Sequence, residues 1–126
     1  MATQRKSILV IHPSATDPTG IRRLLAEMGH TAVTVVQERA ALSLLRTVRF
    51  DVIFTGLSGR GDSAARQFIG QLRQLAPGSA VVGINECGVG AASEPWHAAC
   101  DATIAEPLSA ARVQWVLDFK LRYFGN

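Results

Sequence analysis

The residues able to do chemistry are few and widely spaced. His30 follows a glycine that ends a helical pattern and His97 sits beside Trp96; neither has a second His or Cys at ligand spacing, so no metal site is expected. Cys87 and Cys100 show no pairing pattern. They read as small apolar fillers near strand ends, with Cys87 in a loop where its thiol is accessible. Gly88-Val89-Gly90-Ala91-Ala92-Ser93 resembles a phosphate-cradling loop only superficially, because a dinucleotide fingerprint belongs after the first strand of its unit. It reads as a flexible connection. The pairs Arg22/Arg23, Arg46/Arg49 and Arg66/Arg73 could face a nucleotide or nucleic acid, but that use needs arginines converging with an aromatic ring. They fall on different helices and read as solvated surface, Arg46 and Arg49 suiting the negative end of their helix. No Ser-His-Asp or Cys-His constellation can be assembled, so neither an enzyme nor a cofactor is expected.

The elements that must position these groups are sharply marked. Ser7 to Ile11 is a continuous β-branched run, the pattern of a strand covered on both faces. Asp17-Pro18 then supplies an N-cap and a first-turn proline. Ile21, Leu24, Leu25 and Met28 repeat at helical spacing up to Gly29. Thr31 to Val36 predicts a second strand, and Ala41, Leu45 and Val48 the stripe of a second helix. Asp51 to Phe54 predicts the third strand, followed by a polar, Gly-rich break from Leu57 to Asp62 and a helix carrying Ala65, Phe68, Leu72 and Leu75. Pro77-Gly78 stops that helix before a fourth strand over Ser79 to Ile84. A short helix near Ser93 to Ala99, a fifth strand over Ala102 to Ala105 and a last helix from Ser109 to about Phe124 complete the chain.

Strands alternating with helices on short connections predict an α/β fold, a doubly wound five-stranded parallel sheet of flavodoxin-like (βα)5 type with strand order 2-1-3-4-5. With 126 residues, 48% hydrophobic and 18% charged, residues 1–126 are read as a single domain with an ordinary core. The net charge of +3 comes with eleven arginines spread along the chain rather than in a block, so no DNA contact is expected. No apolar run is long enough to span a membrane, and the free cysteines and lack of a leader fit a cytoplasmic setting. Ligands of such sheets sit at the C-terminal strand ends near the switch point, which directs attention to the residues ending the first, third, fourth and fifth strands.

The five-fold strand–helix spacing, with Phe50-Asp51-Val52-Ile53-Phe54 before a Gly-rich loop and Ala99-Cys100-Asp101-Ala102-Thr103-Ile104-Ala105-Glu106-Pro107-Leu108 later, resembles the response-regulator receiver (CheY-like) family over almost the whole chain. That resemblance implies a bacterial two-component signalling domain and a known set of site positions. Receivers carry an acidic pair after the first strand for Mg²⁺, a phosphoacceptor aspartate ending the third, a hydroxyl ending the fourth, and lysine-proline ending the fifth. Here those positions fall on His12-Pro13, Gly56, Asn85 and Glu106-Pro107, so only Pro107 is retained. Gly56 cannot form an acyl phosphate, and His12 and Pro13 do not offer the hard oxygen ligands that Mg²⁺ requires. Glu106 reverses the charge needed beside a phosphoryl group. A shift of one position would bring Thr55 into place without restoring a carboxylate. Neither does Ser58, and Asp62 lies too far along the loop. The expectation is a degenerate pseudo-receiver. His12, Asn85 and Glu106 would converge at one end of the sheet as a pH-responsive hydrogen-bonded cluster or as a plain solvated rim.

The last helix carries two apolar faces. Val113, Val116, Leu117, Leu121 and Phe124 form one; Trp115, Phe119 and Tyr123 form another, flanked by Arg112 and Arg122. One sheet cannot bury both, and large rings beside arginines have the composition of interface hot spots. The resemblance places the partner face of receivers on α4-β5-α5, meaning the fourth helix, fifth strand and fifth helix, where Trp96 would join Trp115. The function expected is therefore a phosphorylation-independent module that binds a protein partner or itself as a homodimer. By the same resemblance a histidine kinase or other two-component protein is a candidate partner. Two rivals are a small-ligand sensor, taking a nucleotide or cyclic dinucleotide in the crevice near His12, Thr55 and Gly56 or on an arginine patch, and a receiver-fold enzyme of unrelated chemistry. No output domain is expected after Phe124-Gly125-Asn126.

Overall fold

The computed structural model describes residues 5–11, 18–57, 61–85, 95–105 and 108–120, with backbone alone at 18–20 and 119–120. Five strands, β1 (Ser7–Ile11), β2 (Thr31–Val35), β3 (Val52–Thr55), β4 (Ala80–Asn85) and β5 (Ala102–Ala105), form one sheet in the order β2-β1-β3-β4-β5. All four pairings are parallel. The helices are α1 (Pro18–Glu27), α2 (Glu38–Leu45), α3 (Asp62–Leu75) and α4 (Ala110–Trp115), the last continuing as a π turn over Val116–Lys120. The expected strand order holds.

Alternation along the strands sends side chains to two separate cores, which is why their sequences are continuously apolar. Leu9, Ile11, Ile53 and Val81 pack with Ala41, Leu45, Ala65, Phe68, Ile69 and Leu72 of α2 and α3. Ile8, Val10, Val52, Phe54, Val82 and Ile84 pack on the other face with Leu25 of α1 and Val113, Val116 and Leu117 of the last helix. Gly29, at φ 91°, ends α1 in the left-handed region that a side chain disfavours. Ser109 caps α4 by accepting the Arg112 N–H at 3.3 Å. The stripe read for the second helix fails at Val48. Val48 is 40% exposed because α2 ends at Leu45, and Val33 and Val36 are exposed because β2 is an outer strand.

Two aspartates fasten the N-terminal edge of the sheet. Asp51 exchanges backbone bonds with both neighbours, its N–H to the Ser7 carbonyl at 2.7 Å and its carbonyl accepting from Ala80 at 3.1 Å, while its carboxylate accepts the Ser7 N–H at 2.8 Å. Asp101 repeats the device before β5, donating its N–H to the Val81 carbonyl and accepting the Val81 N–H on its carboxylate, both at 2.8 Å.

Where a fourth helix was expected, the chain makes a 3-10 turn over Pro95–Ala99. It is held from α3 by two guanidinium groups: Arg66 donates to the Pro95 carbonyl and Arg73 to the Ala99 carbonyl, each at 2.7 Å. Arg66 is also paired with Asp62 at 2.8 Å and Arg73 with Asp101 at 3.4 Å. The turn buries Trp96, at 2% exposure, with its ring meeting that of His97 edge-on at 4.1 Å. Gly83 of β4 makes the room. A Cβ there would lie 3.1 Å from the Trp96 ring, 3.1 Å from Cys100 Sγ and 3.2 Å from His97 Cδ2. Trp96, expected on the partner face, is therefore part of the core, because the glycine opposite gives it a niche that no exposed site could match.

Gly83→Ala is expected to lower stability by about 1–3 kcal/mol, since three packed groups must give way at once. Gly70→Ala, inside α3 with nothing within 4 Å, is expected to raise it by about 1 kcal/mol. Urea unfolding midpoints of the two variants check both signs.

Candidate functional site

The C-terminal ends of β1, β3, β4 and β5 lie side by side at Ile11, Thr55, Asn85 and Ala105, with Ile11 paired to Thr55, Thr55 to Gly83 and Asn85 to Ala105. Gly56 extends the β1–β3 pairing by one bond, donating its N–H to the Ile11 carbonyl at 3.0 Å. The central strand thus ends in a buried backbone with no side chain to project from it. Thr55 before it is wholly buried, and its Oγ1 has no hydrogen-bond partner. Leu57 after it turns into the core beneath α2 and α3. Asn85 is 9% exposed at the tip of β4.

None of these tip residues is a carboxylate. Among the described residues, Asp51 and Asp101 bind β-strand amides at the opposite edge, Asp62 pairs with Arg66, and Asp118 accepts from the Gln114 side-chain amide. No group of three His, Cys, Asp or Glu among the described residues is arranged to hold a metal ion. What the tips offer is hydrogen bonding and shape. Forming an acyl phosphate needs a carboxylate oxygen, which Gly56 and Thr55 lack.

A second concavity lies on the outer edge of the sheet. A groove of about 420 Å³ runs between β5 and α4, lined by Thr103, Ile104, Ala105, Ala111, Arg112, Trp115 and Val116. Val113, Val116 and Leu117 turn inward as the first helical stripe predicts, and Trp115 stands 49% exposed over the groove. Arg112 is held against β5, donating to the Ala105 carbonyl at 3.3 Å. The groove is therefore built rather than formed by loose side chains, with its floor from an edge strand and its wall from a capped helix.

No protein-family model and no curated protein sequence matches the chain. Solved structures do. A response-regulator receiver domain (CheY-like) from Methylobacillus flagellatus superposes with a TM-score of 0.75 at 19% identity, covering 93% of this chain and 99% of that one. The receiver domain of a sensor histidine kinase from Pseudomonas aeruginosa PAO1, solved with a magnesium ion coordinated in its active-site cleft, gives 0.74 at 16% identity, covering 98% and 100%. The chain has the CheY-like receiver fold. A chain described as adenylate cyclase from Rhodopirellula baltica also superposes, with a TM-score of 0.73 at 13% identity over 96% of this chain and 90% of that one. The fold is therefore shared by proteins described in different functional terms.

Within the receiver fold, the sequence-predicted positions Gly56 and Asn85 stand at neighbouring strand tips. His12, Pro13, Glu106 and Pro107 lie outside the described residues, as do Cys87, the loop 88–93, Arg122, Tyr123 and the side chain of Phe119. Of the proposed interface group, Arg112 and Trp115 share the groove, whereas Trp96 is on the other face of the sheet in the core under α3. The arginine patches also resolve. Arg66 and Arg73 are consumed in holding the 3-10 turn. Arg46 and Arg49 line a groove of about 440 Å³ at the N-terminal edge with Asp51, Ser79 and the ends of α2 and α3. The Asp51 carboxylate and two helix C-termini balance the guanidinium charge there, so that groove has no net pull on an anion. Cys100, packed against Gly83, has its thiol pushed up to about 12 by burial and is chemically inert at neutral pH.

Thr55→Val is expected to stabilise the chain by about 1 kcal/mol, because it removes a buried hydroxyl that has no partner while keeping its shape. Thermal and urea unfolding of the variant beside the parent measure it.

Proposed function

We propose that the chain is a pseudo-receiver, a signalling module that works by binding and not by aspartyl phosphate, and that it self-associates through the β5–α4 face. The observation that carries the reading is the pairing of two features of one fold. The central strand ends in Gly56 where receivers carry their phosphoacceptor, and a half-exposed Trp115 overhangs an apolar groove on the outer strand. The first feature takes away the family's reaction. The second supplies a surface that water covers poorly.

A second copy of the chain suits this surface because the patch holds both a projecting ring and a concavity. A two-fold axis beside β5 brings the Trp115 of each protomer over the groove of the other, an arrangement that closes on itself. Arg112, already fixed to β5, contributes a rigid cationic rim with little side-chain entropy left to lose. Among the described residues β5 pairs only with β4, so it is an outer strand beside which a second copy could continue the contact. Signalling then depends on which copies or partners occupy the face.

Sedimentation velocity over a range of concentrations tests this. The parent is expected to show a monomer–dimer equilibrium, and Trp115→Ala to raise the dimer Kd by roughly 30-fold, a hot-spot loss of about 2 kcal/mol. A parent that stays monomeric throughout, or a variant that dimerises as well as the parent, removes the self-association reading.

A further inference from the structure

His30 is a buried ionisable group that neither the strand tips nor the Trp115 face uses. It stands at the opposite edge of the sheet, in the corner where α1 ends and β1 and β2 begin, and is 4% exposed. Its backbone N–H donates to the Leu25 carbonyl at 2.9 Å. Its ring Nδ1 accepts the Lys6 N–H at 3.1 Å, and the Lys6 carbonyl accepts the Thr31 N–H at 2.9 Å. Arg5 closes the corner from outside, donating through Nε to the Gly29 carbonyl at 3.0 Å.

These bonds fix the protonation state. Nδ1 accepts, so it must carry the lone pair, and the ring hydrogen of neutral His30 sits on Nε2. Nε2 is buried and has no acceptor. Two charged groups act on the ring: the Lys6 ammonium from the segment leading into β1, and the Asp118 carboxylate from the last helix. The ionisable residues of α1 beyond its first turn, Arg22, Arg23 and Glu27, are exposed, and β2 carries none.

We propose that His30 is a proton-operated latch on the β1–β2 corner, holding the Lys6 amide at the start of β1 only while its ring is neutral. Uptake of one proton from solvent places a hydrogen on Nδ1, which breaks the Lys6 N–H···Nδ1 hydrogen bond and leaves two donors face to face. The charged ring keeps an Nε2–H that lacks an acceptor, so neither ring nitrogen is satisfied in the corner. Proton uptake thus releases the bond that ties the start of β1 to the end of α1.

Burial holds His30 below its usual 6.5, Lys6 pushes the same way, and Asp118 opposes both. The folded chain therefore stays neutral at this ring where the unfolded chain has already taken a proton. The corner's contribution to stability is intact above pH 6.5 and is lost as the pH falls below it.

The test is a two-dimensional NMR titration of the intact chain from neutral to mildly acidic pH, following the His30 ring and the Lys6 amide, with a His30→Asn variant to assign the signals. Asn presents an acceptor oxygen close to the position of Nδ1 but takes up no proton. The latch requires a His30 midpoint below 6.5, a Lys6 amide shift with that same midpoint, and a Lys6 amide that stays put in His30→Asn. Asp118→Asn must lower the His30 midpoint further. A midpoint at or above 6.5, a Lys6 amide that ignores the ring, or an unchanged midpoint in Asp118→Asn overturns it. If acid unfolds the parent before the ring titrates, circular dichroism replaces NMR. The unfolding pH must then drop in His30→Asn, and an unchanged unfolding pH overturns the latch equally.

Discussion

The close approach of Trp96 to β4, possible only because residue 83 has no side chain, organises one half of the molecule. The segment before β5, a 3-10 turn over Pro95–Ala99, seats the Trp96 ring in the space left by Gly83. Arg66 and Arg73, about two turns apart on α3, receive the two ends of that turn through its carbonyls. Asp101, gripped by Arg73, in turn carries the ladder from β4 into β5. Removing one niche would therefore disturb α3, the turn and the outer strand together. The niche also commits one tryptophan to the core, whereas Trp115 is the half-exposed aromatic ring among the described residues.

The other organising constraint is at the tip of the central strand. Similarity to receiver domains extends to strand order and to nearly the full length of the chain, yet fold alone fixes no chemistry, as the range of names among similar structures illustrates. Chemistry comes from what the tips carry. Here β1 and β3 remain paired to their last residues and beyond, through the Gly56–Ile11 bond, so the described end of the central strand is paired backbone. A buried Thr55 hydroxyl without a partner adds a small energetic penalty at the same place. The structure is thus well suited to hold a fixed shape, and the surfaces on which shape could be read lie at β5 and the last helix.

Much of this was legible in the sequence because local signals agreed with the global pattern. Pro18, Gly29 and the Pro77-Gly78 pair mark helix ends where the structure has them, and continuous β-branched runs mark strands buried on both faces. The errors have physical causes. Trp96 and Trp115 look alike in composition, and only the isolated Gly83 within an otherwise apolar strand hinted that a ring would lie upon it. Val48 continues the helical spacing of α2 on paper, but the helix ends three residues earlier. Asp51 and Asp101 read as ordinary loop acids, because their bonds go to amides 44 and 20 residues away. His30 read as a residue after a glycine, with nothing nearby to reveal that the Lys6 amide, 24 residues earlier, binds its ring. Long-range pairing is the part of a fold that periodicity does not encode.

The central claim is that the position at the end of the third strand cannot take a phosphoryl group, so that signalling must proceed by contact alone. Intact-mass spectrometry of the chain after incubation with acetyl phosphate and Mg²⁺ tests it most directly. The account requires an unmodified mass under conditions that load an ordinary receiver. A stoichiometric phosphoryl adduct that hydroxylamine removes would contradict it.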